Sequence, residues 1–396
     1  MTRLLLIGAR TEVLKEAKKV GFEVILFEKE DRITNNQLDL ADETYILNWE
    51  DHELAIIWAK TIHNNVKINF VLSFGERGVV TAAKIKAALG NEVDGINPSA
   101  VFISNNKALF REKLNNLNLS NVHYRGYQGL PKFAEVLNEF DFPFIVKPVA
   151  GTGSTDVHKV ETKKELLDLY ENENLRNKHI IVEEYLVGQE LSIETISFDG
   201  NHEVIGFTKK DTTGAPNFIE VSHLMPFQLD PILAKKLESL TIKVLNAINH
   251  KTGPTHTEVI LTKSGPKIVE THTRPGGDYI TELIESSYNV NVYYETLSYL
   301  KEGKVRKRVN KVPVKYTFVK FFLFSEGFVK KIIRSKRLDI NKSILSCNLQ
   351  IKEGTQIKIP KNSKGRHGYF IITGESLEEI STVTKEVESS IEVHIE

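Results

Sequence analysis

The stretch Thr255–Asp278, THTEVILTKSGPKIVETHTRPGGD, narrows the fold more than any other part of the chain. Two alternating runs, Thr255–Thr262 and Lys267–Arg274, read as strands joined by Lys263-Ser264-Gly265, with Pro266 entering the second. A three-residue hairpin loop commonly puts its third residue in the left-handed region, which Gly265 adopts at little steric cost. That register predicts Thr262 opposite Pro266 and Glu258 opposite Glu270. A loop of even length is expected to turn the two carboxylates to opposite faces. Glutamates opposed on one face, about 5 Å apart at Cβ, repel each other unless a cation lies between them. Oxygen-only ligands favour Mg²⁺, which usually arrives with nucleotide phosphates. Arg274, four residues beyond Glu270, is expected on the same strand face, one positive charge beside the metal. The alternative is a solvated surface hairpin that happens to carry two glutamates. The rest of the chain decides between them.

Lys plus Arg and Asp plus Glu stand at 52 each, so the net charge is zero. No global basic field is available to hold nucleic acid or a membrane surface, and any phosphate must be bound by local groups. The single cysteine, Cys347, excludes an intramolecular disulfide and a multi-cysteine metal site, and fits the reducing cytoplasm. It lies far from every motif and reads as ordinary packing. The apolar run Leu4–Ile7 is too short for a signal peptide or a membrane span, and no other segment approaches twenty apolar residues. The expectation is a soluble cytoplasmic protein, its 396 residues divided into two or three domains.

Leu4–Ile7, Val24–Phe27, Glu43–Leu47 and Phe70–Ser73 read as short strands, with helical patterns around Glu12–Lys19 and Glu53–Asn64. That alternation predicts a parallel, doubly wound sheet. The turn Gly8-Ala9-Arg10 resembles the first turn of a nucleotide fold, but the G-x-G-x-x-G fingerprint is missing, so a Rossmann-like module without a dinucleotide is expected. The next strand leads into Ser73-Phe74-Gly75-Glu76-Arg77 and a helix over Val79–Leu89. Loops at the carboxyl ends of parallel strands bind ligands, which makes Glu76 and Arg77 candidate substrate contacts; a glutamate there also serves simply as a helix-dipole partner. Asn97-Pro98 marks a boundary, and a helix over Asn105–Leu117 carries Lys107, Arg111 and Lys113. The basic run Lys301–Lys311 reads as a linker. Strands at Lys315–Phe324 and Leu349–Ile359 point to a small β-rich tail. The resulting division is 1–96, 97–300 and 301–396.

Phe144–Thr155, FIVKPVAGTGST, runs from an apolar strand into a loop holding Gly151, Gly153, Ser154 and Thr155. Glycines free backbone N–H groups to face phosphate oxygens, and Lys147 adds a point charge. The Walker pattern is absent, and a plain hairpin tip is the alternative. Ile180–Glu190, IIVEEYLVGQE, is an apolar strand entering Glu183-Glu184-Tyr185-Leu186, a hinge able to bond an adenine edge through its backbone. Glu190 is placed to hold ribose hydroxyls; otherwise the segment is an amphipathic strand with an acidic edge.

Lys107, Lys147 with its glycine loop, Glu183–Glu190, Glu258, Glu270 and Arg274, in that order, resemble the ATP-grasp superfamily, in which two α/β subdomains clamp ATP. The resemblance covers roughly Asn97 to Leu300, and the flanking regions match the family's layout. It implies an α/β ATP-grasp fold with a Rossmann-like pre-ATP-grasp domain and a small β-rich C-terminal domain. It also implies a lid over roughly 120–185. Lys107 and Lys147 are implied to contact the phosphates, beneath the loop Gly151–Thr155. Glu183, Glu184, Tyr185 and Leu186 are implied to line the adenine pocket, and Glu190 to bind ribose. Glu258 and Glu270 are implied to hold two Mg²⁺ ions, with Mn²⁺ as a substitute. Most family members carry Asn where this chain has His272, and imidazole suits Mg²⁺ poorly.

The family chemistry is attack of a substrate carboxylate on the γ-phosphate of ATP, giving an acyl phosphate, then attack of an amine on the acyl carbon. Arg274 is the expected stabiliser of the resulting oxyanion. Thr271–Asp278, with Gly276-Gly277-Asp278, resembles the L-amino-acid ligases that make dipeptides, of the bacilysin and rhizocticin type, as do Lys209–Leu229 and the tail. Amino acids and ATP are the implied partners, and a homodimer is compatible. Asp278 and Glu76 are candidates for the substrate ammonium or for a cationic side chain such as that of arginine. His223 and His256 lie near these motifs, where packing is the usual role of a histidine. Related branches are the carboxylate–amine ligases of purine synthesis and biotin-dependent carboxylases. Readings from other classes are an ATP sensor without turnover and a small-molecule kinase.

Overall fold

The computed structural model describes residues 2–151, 155–171, 175, 178–215, 217–305 and 312–396. The first sheet is parallel throughout, built from β1 (Arg3–Ile7), β2 (Glu23–Glu28), β3 (Glu43–Ile46), β4 (Phe70–Leu72) and β5 (Asp94–Gly95) in the order β3-β2-β1-β4-β5. Helices Thr11–Val20, His52–Asn65 and Gly78–Leu89 connect its strands, as the alternation predicts. The short helix Asn35–Leu40 has no apolar period to announce it; a capping box between Thr34 and Gln37 starts it. At the first turn Gly8 has φ 60°, and a Cβ there would lie 2.8 Å from the Trp49 ring. The Trp49 indole N–H donates to buried Glu28 at 3.1 Å. The crevice where doubly wound sheets bind dinucleotides is therefore filled by the protein's own indole. The core of this sheet is completed from far along the chain. Leu283, Ile284, Tyr293 and Leu297, on helices Ile280–Tyr288 and Val292–Glu302, join Leu4–Ile7 and Val24–Phe27 in one apolar cluster. Lys301 donates across the same junction to the Val20 carbonyl at 2.8 Å.

Where the lid is expected, β6 (Tyr124–Gln128), β7 (Phe144–Pro148), β8 (His158–Val160) and β9 (His179–Glu184) form a separate antiparallel sheet in the order β6-β9-β7-β8. Val136, Phe144, Val160, Leu166 and Val182 give it a core of its own. The expected helix Asn105–Leu117 is instead two, Pro98–Asn105 and Lys107–Asn116. Asn106 separates them, because its side chain accepts from the Leu109 N–H at 3.0 Å and caps the second.

The largest sheet contains β10 (Gly188–Phe198), β11 (Asn201–Thr212), β12 (Glu220–Met225), β13 (Gly253–Thr262) and β14 (Gly265–His272). It continues into the tail through β15 (Tyr316–Phe321), β17 (Ile344–Leu349) and β19 (Gly368–Gly374), in the order β14-β13-β10-β11-β12-β15-β19-β17. β16 (Gly327–Arg334), β18 (Gln356–Ile357) and β20 (Ile391–Ile395) pair separately. The strand expected at Leu349–Ile359 does not form. A turn centred on Gly354, φ 80°, interrupts it, with the Thr355 hydroxyl bonding the Lys352 carbonyl at 2.6 Å. Within the basic run, residues 306–311 lie outside the described residues. Among the described residues no helix is long and apolar enough to cross a membrane.

Glu258 and Glu270 do face each other, but not by way of an odd loop. Thr262 pairs with Gly265 around a two-residue loop, Lys263-Ser264, and the register then shifts: Val259 pairs with Ile268, Glu258 with Glu270. Val269 is the extra residue of a β-bulge, and it restores the pairing that an even loop alone would lose. A bulge leaves ladder groups without strand partners, and here other elements take them. Arg111, fully buried, donates from Nη1 to the Ile268 carbonyl at 2.6 Å and from Nη2 to the Val269 carbonyl at 3.1 Å. The Ile268 N–H donates to the Ser120 hydroxyl at 2.8 Å.

The Arg111 charge is balanced by Glu183 on β9, at 2.8 Å from Nε, and Lys147 on β7 reaches the other oxygen of that carboxylate at 2.6 Å. Burial alone would raise the Glu183 pKa, but Arg111 and Lys147 outweigh it and hold it at about 2. A depressed carboxylate contributes stability that is fully present above its unfolded value, near 4.5, and lost as pH falls towards 2. Glu183→Gln leaves two buried cations without a counter-charge and is expected to cost about 3 kcal/mol or more at pH 7. The gap to the parent should narrow below pH ~4.5, where the carboxylate takes up a proton in the unfolded parent but not yet in the folded one. Urea unfolding of both proteins at pH 7 and pH 3 measures it, and an unchanged gap would refute the assignment.

Candidate active site

Two adjoining cavities lie against the β13–β14 hairpin. The first, about 420 Å³, is bounded by β7, β9, the 185–187 connection and strands β10, β11, β13 and β14. Lys107 opens its helix with Nζ 3.0 Å from the Gly151 carbonyl and 3.2 Å from Glu270. Lys147 lines the same space. Gly151 and Thr155 line it too, whereas Gly153 and Ser154 lie outside the described residues. Tyr185 and Leu186 form its rim, with the Lys159 ammonium 4.5 Å above the Tyr185 ring. Glu184 also reaches this cavity, its carboxylate accepting from the His123 N–H at 2.9 Å. Glu183 borders it with its oxygens already committed to Arg111 and Lys147, so its part here is to hold a lysine in place.

The wall common to both cavities consists of Glu190, Lys210, Thr212, Phe218, Glu258 and Glu270. Lys210 Nζ lies 2.5 Å from Glu258 and 3.0 Å from Glu190. Burial disfavours its charge, yet these carboxylates raise its pKa well above that of an ordinary lysine. Glu258 and Glu270 are likewise held as anions against the cost of burial. Lys210 and His256 lower the first; Lys107 and His272 lower the second. His272 donates from Nε2 to the Glu270 carboxylate at 2.9 Å, with Nδ1 3.5 Å from Glu76. Among the described residues no group of three or more candidate ligands forms a complete metal site. Two opposed carboxylates nevertheless fit Mg²⁺, which keeps most of its shell for water and substrate phosphates.

The second cavity, about 270 Å³, extends from this wall to Glu76, Glu220, His223, His256, His272, Arg274, Gly277, Asp278 and Ser363. β14 stops at His272, so Arg274 lies past the strand, yet it lines this second cavity together with Glu270. Its guanidinium pairs with Glu76 and donates to the Pro275 carbonyl at 2.7 Å, while buried Nε has no partner among the described residues. Burial lowers its pKa to about 10, which leaves it charged at neutral pH. Gly276 packs behind; a Cβ there would meet Ile280 at 2.7 Å and His256 at 2.9 Å. His256 sits between Glu194, 3.0 Å, and Glu258, 3.3 Å; these carboxylates overcome its burial and raise its pKa to about 10. His223 lies 3.6 Å from Asp278. Arg77 is not brought here: it is exposed and pairs with Glu50 at 3.4 Å.

Sequence reasoning missed Lys210, Glu194, Glu220 and Arg366, and recorded Arg111 without a role. Lys210 had a signal, since strand alternation sets it on the face of Thr208 and Thr212. Arg111 had none, because its partners lie 72 and 157 residues away.

Residues 14–90 match the ATP-grasp N-terminal domain, 140–282 the ATP-grasp domain and 320–396 the L-amino acid ligase C-terminal domain 2. The chain is 22% identical to the L-arginine-specific L-amino acid ligase of Bacillus subtilis, over 86% of this chain and 87% of that protein. It is 25% identical to the phosphoribosylamine–glycine ligase of Methanosphaera stadtmanae, over 64% of each, just under two thirds of that relative's length. The fold superposes on the L-amino acid ligase from Bacillus licheniformis with a TM-score of 0.86 at 21% identity, covering 100% of this chain and 99% of that one. With the ATP-grasp N-terminal domain, the ATP-grasp domain and the L-amino acid ligase C-terminal domain 2 matched in that order along the sequence, the chain belongs to the ATP-grasp superfamily and carries a C-terminal domain of the L-amino acid ligase type.

Proposed function

We propose that the chain condenses two amino acids: the carboxylate of one is phosphorylated by ATP, and the amine of the other displaces phosphate, releasing a dipeptide, ADP and phosphate. The observation that carries this reading is the wall shared by the two cavities, which offers a phosphoryl group a short path from a nucleotide in the larger to a carboxylate in the smaller. Tyr185 and Leu186 border the adenine end and Glu190 the ribose. Lys107 and Lys147 face the phosphates, with Glu183 fixing Lys147. Glu258 and Glu270 hold Mg²⁺, two ions in the form proposed, which neutralise charge on the phosphoryl oxygens when bound.

The smaller cavity positions the amino acids. Among the described residues lining it, Glu220 is the carboxylate with no cation at ion-pair distance; its only bond is from the Ser363 hydroxyl, and it is available to an ammonium group. Glu76 orients Arg274, whose guanidinium is left to face the carboxylate oxygen that becomes the oxyanion. The acyl phosphate hydrolyses if water reaches it, and the sheet β6-β9-β7-β8 is the element set to cover it.

Incubation with ATP, Mg²⁺ and an amino-acid mixture tests the reading. A condensed product with phosphate release supports it, a phosphorylated amino acid indicates a kinase, and no turnover indicates a sensor. Glu270→Gln is expected to abolish ATP turnover in a folded protein, as judged by circular dichroism, with His272→Asn much milder; a normally active Glu270→Gln refutes the metal role. Arg274→Lys is expected to lower product formation by about 10²-fold or more with ATP affinity close to that of the parent. Joint loss of affinity and activity would move Arg274 to the phosphate site instead.

A further inference from the structure

Asp278 was expected to receive a substrate cation, but an internal cation already occupies it. Arg366, which precedes β19, donates from Nη1 and Nη2 to the two Asp278 oxygens at 2.8 and 2.5 Å, a bidentate fork. The same guanidinium stacks on Phe321 at 3.5 Å and donates to the Glu220 carbonyl at 3.4 Å. Its neighbour His367 is anchored on both sides, accepting from the Phe324 N–H at 2.9 Å and meeting the Lys358 carbonyl at 3.1 Å. Asp278 is equally fixed. It and Tyr279 both adopt positive φ, 50° and 67°, a conformation that costs about 1 kcal/mol or more per non-glycine residue. Tyr279 is held there by stacking on Tyr369 at 4.1 Å.

The consequence follows from matching acids to bases around the cavity. Glu76 is taken by Arg274, Glu190 and Glu258 by Lys210, Glu270 by Lys107 and His272, and Asp278 by Arg366. Among the described lining residues only Glu220 has no cation at ion-pair distance, Lys210 acting on it from farther off. The attacking amine reacts as the uncharged free base, so with neutral side chains the pair brings one cation, the ammonium of the phosphorylated amino acid, and one carboxylate suffices. Arginine or lysine brings two. The second would be desolvated without a partner, or would have to expel Arg366 and leave that charge buried and unpaired.

Resting on the dipeptide-ligase reading above, we propose that Arg366 sets the substrate class: by occupying Asp278 it excludes amino acids with cationic side chains, arginine and lysine, from the smaller cavity. The relative specific for L-arginine then differs from this chain in selectivity despite the shared architecture.

The test is phosphate release by the full chain with ATP, Mg²⁺ and individual L-amino acids. The parent is expected to use neutral amino acids with kcat/KM about tenfold or more above arginine and lysine. Arg366→Met removes the cation, keeps most of the bulk, and should shift the arginine-to-neutral ratio by about tenfold or more towards arginine. Arg366→Met with Asp278→Asn should lose that gain; a gain that persists would trace it to space, not charge, and overturn the proposal. Should the single variant fail to fold, the parent panel still decides, because arginine used as well as a neutral amino acid overturns the proposal while leaving the ligase reading intact. No turnover with any amino acid sinks both.

Discussion

One buried guanidinium ties the candidate active site together. Arg111 accepts no solvent and serves three masters: the two carbonyls freed by the Val269 bulge and the carboxylate of Glu183. Without the bulge, a two-residue loop sets Glu258 and Glu270 on opposite faces, so the charge on one helix fixes the register of a hairpin more than 150 residues away. The other end of the same network, Glu183, positions Lys147. A single ion-paired side chain thus connects the carboxylate pair to Lys147, and joins the sheet β6-β9-β7-β8 to the edge strand of the large sheet.

The remaining charges follow a similar rule. Among the described residues, each carboxylate lining the smaller cavity apart from Glu220 is matched to a fixed cation on another element, and burial makes these pairings costly to break. The site is therefore assembled in advance of any ligand, the condition under which fixed charges act most strongly on developing ones. In the selectivity proposed above, the one acid left over and the one paired with Arg366 have opposite parts.

Much of this was legible in the chain. Strand and helix alternation gave the parallel sheet because period and turn residues agree there, and the ordered lysines, glycines and glutamates carried the ATP-grasp resemblance. The opposition of Glu258 and Glu270 was also read, but through the wrong device. A bulge has no composition of its own, and the groups that stabilise this one come from Arg111 and Ser120, distant in sequence. The break at Asn106 and the turn at Gly354 interrupt runs whose apolar pattern continues through them. Arg366 was invisible for a related reason: a lone arginine in a tail acquires meaning only once the sheet brings β19 beside Asp278.

The shared core between the first sheet and helices Ile280–Tyr288 and Val292–Glu302 also bears on how the chain is made. Residues 2–95 leave the ribosome well before the two helices that complete their core, because the apolar side chains that cover one face of their sheet are encoded nearly 200 residues later. At ordinary elongation rates that face waits roughly ten seconds or more for its cover. Trp49 shortens the exposed list by sealing the crevice above Gly8 from within the same segment. The rest of the face must be shielded by transient collapse or by chaperones until Leu297 has been added, which makes nascent-chain solubility, and not only final stability, a constraint on which residues the first sheet can carry.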